Sequence, residues 1–218
     1  MSQTPLSLII FDLDGTLIDS KVDIANSVNY ALEREGFRTL PSSIIESFVG
    51  RGLSHLVQDV LGTSTAEDVQ RVALAFWDHY IEHSLDETVL YPGVRDFLGR
   101  RPDLPKAVVT NKPYILSKKI LEGLNIDRHF RWLIGGDTLP VQKPSPEILK
   151  PILEEFPTRS QILMVGDSQI DVDCGRSAGI LTCGVTYGYR SREELVQARP
   201  DFLIDRFEEL NSLPFFAA

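Results

Sequence analysis

The chain has 218 residues, 43% of them hydrophobic and 24% charged, which is enough to bury the core of one large domain or of two unequal ones. The 31 acidic residues outnumber the 22 Lys and Arg residues, and the formal charge of −9 argues against a nucleic-acid partner, because phosphate backbones are bound by basic surfaces. The two cysteines, Cys174 and Cys183, are too few for a disulfide framework and are interpreted as free thiols of a reducing compartment.

The first predicted element is the apolar run LSLIIF at residues 6–11, which indicates a buried strand. This run is too short for a signal peptide, and the residues before it lack a basic region. No other segment is apolar for long enough to span a membrane. We therefore expect no membrane partner and a cytoplasmic location.

The stretch from about residue 20 to residue 85 lacks strand patterns and carries amphipathic segments that predict helices. These segments are residues 22–37, 42–49, 53–62 and 67–84. Because they follow the first strand directly, we expect a helical insertion that covers the end of that strand like a lid. The predicted division is a catalytic core of residues 1–17 and 89–218 and a helical cap of residues 18–88.

The remaining apolar runs alternate with helix signals. Strands are predicted at residues 106–110, 132–136, 161–166 and 181–186, and helices at residues 113–122, 146–155 and 171–178. This alternation predicts an α/β fold, namely a Rossmann-like parallel sheet with helices on both faces, with the α-helical cap domain inserted into it. Ligands bind such sheets at the carboxyl ends of the strands, so functional residues should follow the apolar runs directly.

Two carboxylates, Asp12 and Asp14, follow the first predicted strand, and their spacing of two points both to the same side while the backbone stays extended. Such crowding is unfavourable unless a cation lies between them or one of them holds a proton, and both states suit catalysis. A simple turn is the alternative, since Asp, Gly and Thr favour turns. The pattern D-x-D-G-T nevertheless arises by chance at roughly one position in 10⁵.

Four segments resemble, in order, the four motifs of the haloacid dehalogenase superfamily, and the first resembles that of its phosphatases. They are FDLDGTLIDS (residues 11–20), VVTNK (108–112), QKPSPEIL (142–149), which contains Lys143, and VGDSQID (165–171). The segments GGD at 135–137 and AGI at 178–180 further resemble the phosphoglycolate-phosphatase branch of this superfamily.

The resemblance implies a reaction, a cofactor and a partner. Asp12 would be the nucleophile that forms an aspartyl phosphate, and Asp14 would be the general acid and then the general base. Magnesium would be held by the carboxylates of Asp12 and Asp167 and by the backbone carbonyl of Asp14. The partner would be a small phosphorylated metabolite.

The other motif residues also have purely structural interpretations. Thr110 and Asn111 can cap the next helix, although a helix N-terminus also presents amides to a phosphate group. By itself, Lys143 would be interpreted as a solvated surface lysine. The resemblance to the third motif implies instead a position where its positive charge would stabilise the phosphoryl group. Asp167 could cap a helix, and beside the Asp12 pair it is interpreted as a metal ligand. Asp171 is expected to lie behind the metal ligands.

The segment Gly50-Arg51-Gly52 lies between two predicted helices of the cap. Glycines let the backbone approach a ligand, and Arg51 could bind a substrate carboxylate or a second phosphate. A solvent-exposed hinge is the other interpretation of this segment.

Hydrolysis of a phosphate monoester is the predicted reaction, with 2-phosphoglycolate as the predicted substrate. Superfamily mutases carry a lid histidine where this chain has Ile24, and phosphonatases use a lid lysine, whereas Lys21 lies in the linker. Pyrophosphate, a sugar phosphate or an amino-sugar phosphate would need the same core and a different lid. A catalytically idle binding protein is the alternative from another class, and the sequence leaves both a monomer and a homodimer open.

Overall fold

The structure is a computed structural model that describes residues 5–62, 64–156 and 158–216. The strands in these residues are β1 (Leu8–Phe11), β2 (Ile18–Asp19), β3 (Val89–Leu90), β4 (Lys106–Val109), β5 (Trp132–Ile134), β6 (Ile162–Gly166), β7 (Leu181–Val185) and β8 (Phe202–Ile204). Six of them form one sheet in the order β5-β4-β1-β6-β7-β8, and all neighbouring pairs are parallel. The predicted Rossmann-like α/β fold is confirmed.

Helices separate most of these strands and follow the last one. The α-helices are α1 (Lys21–Arg34), α2 (Ser42–Phe48), α3 (Leu53–Leu61), α4 (Ala66–His83), α5 (Val94–Arg100), α6 (Tyr114–Gly123), α7 (Lys150–Leu153), α8 (Gln169–Ser177) and α9 (Arg192–Ala198). Short 3₁₀ helices lie at Asp127–His129, Pro146–Leu149, Arg159–Gln161 and Phe207–Ser212.

Side chains alternate between the two faces of a strand, and the side chains on both faces of β1 are buried. Ile9 packs in one apolar cluster with Phe97 of α5 and Ile120 of α6. Ile10 packs in a second cluster, on the opposite face, with Cys174 of α8. A continuous apolar run such as LIIF is typical of a strand covered by helices on both sides.

Helices α1 to α4 pack on one another between β2 and β3. Helix α4 begins at a reciprocal capping box, in which Thr65 Oγ1 accepts a bond of 3.1 Å from the Asp68 N–H, and the Asp68 carboxylate accepts one of 3.3 Å from the Thr65 N–H. Strands β2 and β3 pair antiparallel where the chain leaves the core and where it returns. The division into a core and a cap of residues 18–88 stays a prediction.

The predicted elements differ from the structure at a few places. The predicted helix at residues 146–155 is a 3₁₀ turn, Pro146–Leu149, followed by the single turn of α7. Pro151 explains the break, since it lacks the N–H that a continuous helix would need there. Sequence patterns missed the short strands β2, β3 and β8. Cys174 and Cys183 are free and buried, as expected.

Candidate active site

The candidate residues lie at the carboxyl edge of the sheet. Asp12 directly follows β1, Thr110 follows β4 and Asp167 follows β6, and these are three adjacent strands. Parallel pairing brings their ends to one edge, so side chains that are far apart in the sequence meet there. All three residues are buried.

Lys143 is the cation that contacts Asp12. Its Nζ lies 2.7 Å from Asp12 Oδ1 and 2.7 Å from Asp171 Oδ1, and all three side chains are largely withdrawn from solvent. The contact with Asp12 is an ion pair outside hydrogen-bond geometry, so Asp12 Oδ1 has no hydrogen-bond donor among the described residues. Burial opposes the charge on Lys143, but the two carboxylates raise its pKa. Lys143 therefore stays an ammonium.

Both carboxylate oxygens of Asp171 accept hydrogen bonds within this cluster. Its Oδ1 accepts a hydrogen bond from Lys143 Nζ, and its Oδ2 accepts bonds from the Ser168 N–H at 3.1 Å and the Ser168 hydroxyl at 2.6 Å. These contacts begin helix α8 and orient Lys143 at the same time. Asp171 thus lies behind Asp12 and holds the cation.

Asp167 faces the turn that carries Asp14. The Tyr189 N–H donates to Asp167 Oδ2 at 2.7 Å. Gly15 has a φ of +79°, and a Cβ atom at this position would lie 2.2 Å from the same oxygen. Only glycine lets the turn approach this carboxylate so closely.

The carboxylates of Asp12, Asp167 and Asp171 suit a metal ion. One oxygen of each lies within 4.8 Å of the others, and the Asp171 oxygens already accept hydrogen bonds from Lys143 and Ser168. Lys143 supplies one positive charge against three negative ones, which leaves two negative charges without an ion-pair partner among the described residues. Burial raises the pKa of Asp12 to about 6 and raises that of Asp167 well above its usual range. An all-oxygen donor set with two uncompensated charges fits a hard divalent cation.

Asp14 belongs to a separate ion pair. Lys112 Nζ lies 3.0 Å from both Asp14 carboxylate oxygens, and the Ser20 hydroxyl donates to Asp14 Oδ1 at 2.5 Å. Lys112 also donates to the hydroxyl of Tyr80, a residue of α4, at 2.8 Å. Tyr189 Oη lies 3.0 Å from the Ser20 hydroxyl. Asp14 is therefore held by groups from both the sheet edge and the inserted helices.

Asn111 positions its neighbours. Its Oδ1 accepts a hydrogen bond of 2.9 Å from the Lys143 N–H, and its Nδ2 donates to the carbonyls of Lys143 and Gly50, each at 3.0 Å. The side chain is thus occupied by backbone groups, and it joins the Lys143 loop to the loop between α2 and α3. Thr110 lies beside it, and its hydroxyl accepts a hydrogen bond of 3.2 Å from the Lys112 N–H.

Arg51 does not take the position that the sequence suggested. Its guanidinium pairs with Asp59 of α3, and 51% of the side chain is exposed. The flanking Gly50 and Gly52 line the cavity described below, whereas Arg51 points away from it. The ion pair with Asp59 keeps the Arg51 guanidinium at the protein surface. The structure thus favours the interpretation of Arg51 as an exposed loop residue.

A cavity of about 500 Å³, including its opening to solvent, lies between the sheet edge and the inserted helices. From the sheet side it is lined by Asp12, Asp14, Thr110, Asn111 and Lys112. From the helical side it is lined mainly by apolar residues, which include Ile24, Leu53, Leu56, Phe76 and Tyr80. The cavity therefore has one charged wall and one apolar wall.

Lys112 and Tyr80 are the residues that the sequence analysis missed. Lys112 stands beside Thr110 and Asn111 in VVTNK, and a cation directly after a strand end was an available signal. Tyr80 lies in the amphipathic segment of residues 67–84, where an aromatic residue is more typical of a helix core than of a ligand contact. Its buried hydroxyl has a partner only because α4 lies beside the loop that follows β4 and carries Lys112.

The protein is an α/β protein with a Rossmann-like sheet, and its buried carboxylate–lysine cluster is built around an aspartate at the end of the first strand. The chain belongs to the family of haloacid dehalogenase-like hydrolases, whose model matches residues 9–185. The predicted resemblance is confirmed.

No helix in the described residues is long and apolar enough to cross a membrane.

Relatives of known name are similar over most of the chain. A phosphoglycolate phosphatase of Pseudomonas putida is 39% identical over 93% of this chain and 78% of its own length. A phosphoglycolate phosphatase of Vibrio parahaemolyticus is 34% identical over 96% of both chains. The crystal structure of a predicted phosphoglycolate phosphatase from Haemophilus somnus is 32% identical, with a TM-score of 0.90 over 97% of this chain and 99% of that one.

Proposed function

We propose that this protein is a magnesium-dependent phosphatase that hydrolyses 2-phosphoglycolate to glycolate and phosphate in the cytoplasm. The observation that carries the proposal is that Asp12, which is paired with Lys143 at 2.7 Å, lines the same cavity as Asp14. The names of the relatives support the substrate.

Asp12 is the nucleophile in this proposal. Its carboxylate attacks phosphorus, a phosphorus–oxygen bond forms, and the bond from phosphorus to the ester oxygen breaks. Lys143, 2.7 Å from Asp12 Oδ1, keeps the carboxylate ionised and offers a positive charge to the phosphoryl oxygens. Asp171 holds Lys143 in place from the other side. Charge neutralisation and positioning thus come from residues fixed by the fold.

Asp14 transfers protons in both half-reactions. It gives a proton to the ester oxygen as the alcohol leaves, and it takes one from the water that attacks the aspartyl phosphate. The second attack releases phosphate and restores the Asp12 carboxylate. Ser20 and Lys112 fix the Asp14 carboxylate within reach of both the ester oxygen and the water.

Magnesium would be held by the carboxylates of Asp12 and Asp167 and by the backbone carbonyl of Asp14. When bound, this ion neutralises charge on the phosphoryl oxygens and on the attacking carboxylate. The two uncompensated negative charges of the cluster support a divalent ion. Asp171, whose oxygens are both engaged by protein donors, supports the site from behind.

Thr110 and the backbone amides at the start of α6 would bind the phosphate oxygens. Asn111 would contribute by holding the Lys143 loop. The helices of residues 18–88 would act as the cap that covers the substrate, because the loop between α2 and α3 already contacts Asn111 through Gly50.

The test is a substrate panel with the purified protein and magnesium. We expect kcat/KM for 2-phosphoglycolate to exceed that for pyrophosphate, a hexose phosphate and an amino-sugar phosphate, and Asp12→Asn to lower all activity by about 10³-fold or more. Asp78→Asn is the matched control, since Asp78 lies on the exposed surface of α4 with 63% of its side chain accessible.

Two outcomes would contradict the proposal separately. If 2-phosphoglycolate is not preferred in the panel, the substrate is wrong and the phosphatase mechanism stands. If the wild type and Asp12→Asn hydrolyse an aryl phosphate at equal rates, the catalytic role of Asp12 is wrong. If in addition neither rate exceeds the uncatalysed rate, an idle binding protein becomes the better description. Sedimentation of the same sample would separate a monomer from a homodimer.

A further inference from the structure

Lys112 is a buried cation whose contacts are not explained by phosphate binding alone. Only 6% of its side chain is exposed, and its ammonium touches both oxygens of Asp14 and the hydroxyl of Tyr80. The ammonium also lies 4.6 Å from the centre of the Tyr80 ring. A desolvated lysine held in this way has a fixed position at the cavity wall.

Other cations near the cavity have partners that turn them away from it. Lys143 is enclosed by Asp12 and Asp171, on the phosphoryl side of the site. Arg51 pairs with Asp59, and Arg190 donates to the carbonyl of Val49. Among the described residues that line the cavity, Lys112 is the one basic side chain.

The position of Lys112 along the substrate follows from its contact with Asp14. Asp14 must reach the ester oxygen, because that atom takes the proton when the alcohol leaves. The ammonium of Lys112 lies 3.0 Å from both Asp14 oxygens and lines the cavity, whereas Lys143 contacts Asp12 and is not among the lining residues. In 2-phosphoglycolate one methylene carbon separates the ester oxygen from the carboxylate. A cation beside Asp14 is therefore within reach of a carboxylate at that spacing.

We propose that Lys112 recognises the substrate carboxylate, with Tyr80 holding the ammonium in place, and that the site therefore selects phosphate esters of short 2-hydroxy acids. This inference rests on the proposed function. The remaining wall is apolar, formed by residues such as Ile24, Leu56 and Phe76, and gives an anionic group no other cationic partner. A bound carboxylate without a cationic partner beside such a wall has an unfavourable free energy. Removal of the Lys112 ammonium should therefore lower kcat/KM most for substrates that carry a carboxylate.

The experiment compares 2-phosphoglycolate with ethyl phosphate, which has the same ester linkage and no carboxylate. Because Lys112 also holds Asp14, we expect Lys112→Met to lower kcat/KM for both substrates, and to lower that for 2-phosphoglycolate by about 10²-fold more than that for ethyl phosphate. Lys118→Met is the matched control, because Lys118 lies on the exposed face of α6 with 51% of its side chain accessible. It should leave both substrates unchanged.

A second variant, Lys112→Gln, keeps the proposal testable if Lys112→Met fails to fold, and the same selective loss is expected. Equal losses on both substrates would overturn the inference, because Lys112 would then act through Asp14 in the chemical step. A selective loss in Arg51→Met and not in Lys112→Met would overturn it as well. A wild type that hydrolyses ethyl phosphate but leaves 2-phosphoglycolate untouched would instead overturn the proposed function, and this inference with it.

Discussion

The buried charge on Asp12 gives a prediction that can be measured without any substrate. Burial raises the pKa of this carboxyl group from 3.8 to about 6, although Lys143 acts to lower it. The folded state then holds the proton more tightly than the unfolded state does, so the stability that the protonated Asp12 contributes is fully present below about pH 4 and is lost as the pH rises to about 6. Within this window the metal-free protein should lose about 1.4 kcal/mol of unfolding free energy per pH unit.

The assay is urea unfolding in the presence of a chelator, for the wild type and for Asp12→Asn, across this pH range. The amide of Asn cannot ionise, so the difference between the two proteins isolates the contribution of Asp12. We expect the wild type to lose about 1 kcal/mol relative to the variant between about pH 5 and about pH 7, or about 3 °C in Tm. Asp78→Asn makes the same chemical change at an exposed site and should track the wild type.

Magnesium should produce the opposite pH dependence. The ion binds the ionised carboxylate, so protons compete with it, and its stabilising effect should be larger at about pH 7 than at about pH 5. Asp12→Asn should reduce this stabilisation at the higher pH. Parallel pH profiles of the two proteins in chelator would refute the assignment of the uncompensated charge to Asp12. An unchanged magnesium effect in the variant would refute its role as a ligand.

Three further substitutions test other parts of the structure. Gly15→Ala forces a Cβ atom against Asp167 Oδ2 and should abolish magnesium stabilisation in thermal scans and lower kcat/KM by about 10²-fold or more. Asp23→Ala leaves two backbone N–H groups of the segment returning from the inserted helices without their acceptor, and urea unfolding should show a loss of about 2–4 kcal/mol. Lys143→Met removes the cation beside Asp12, so the acid limb of the pH–rate profile should move to higher pH as residual activity falls.

Local patterns in the sequence predicted the strand ends well. The apolar runs before Asp12, Thr110 and Asp167 are continuous because their strands are buried on both faces, and this pattern can be recognised without any partner. The same reasoning predicted the helices between residues 20 and 85. Prediction failed where a local signal was short or interrupted, as in β8, which has three residues, and around Pro151.

Local sequence patterns could not predict contacts between residues that are far apart in the sequence. Lys112 and Asp14 are 98 residues apart, and Lys112 and Tyr80 belong to a loop and to an inserted helix. A lysine after a strand end has no preferred partner in the sequence, since its long side chain can reach solvent as easily as a carboxylate. The sequence likewise did not determine the pairing of Arg51 with Asp59, because a flexible arginine pairs with the carboxylate that the fold brings nearest.

The sequence by itself determined the long buried strands, the helices of residues 20–85 and the aspartates that follow β1 and β6, because these depend on periodicity and on residues next to strand ends. Tertiary structure alone decided which cation faces which carboxylate. Lys143 lies with Asp12 and Asp171, whereas Lys112 lies with Asp14 at the wall of the cavity. The physical reason is that ion pairing inside a protein depends on distance and burial, and both arise only when the sheet edge and the inserted helices pack together.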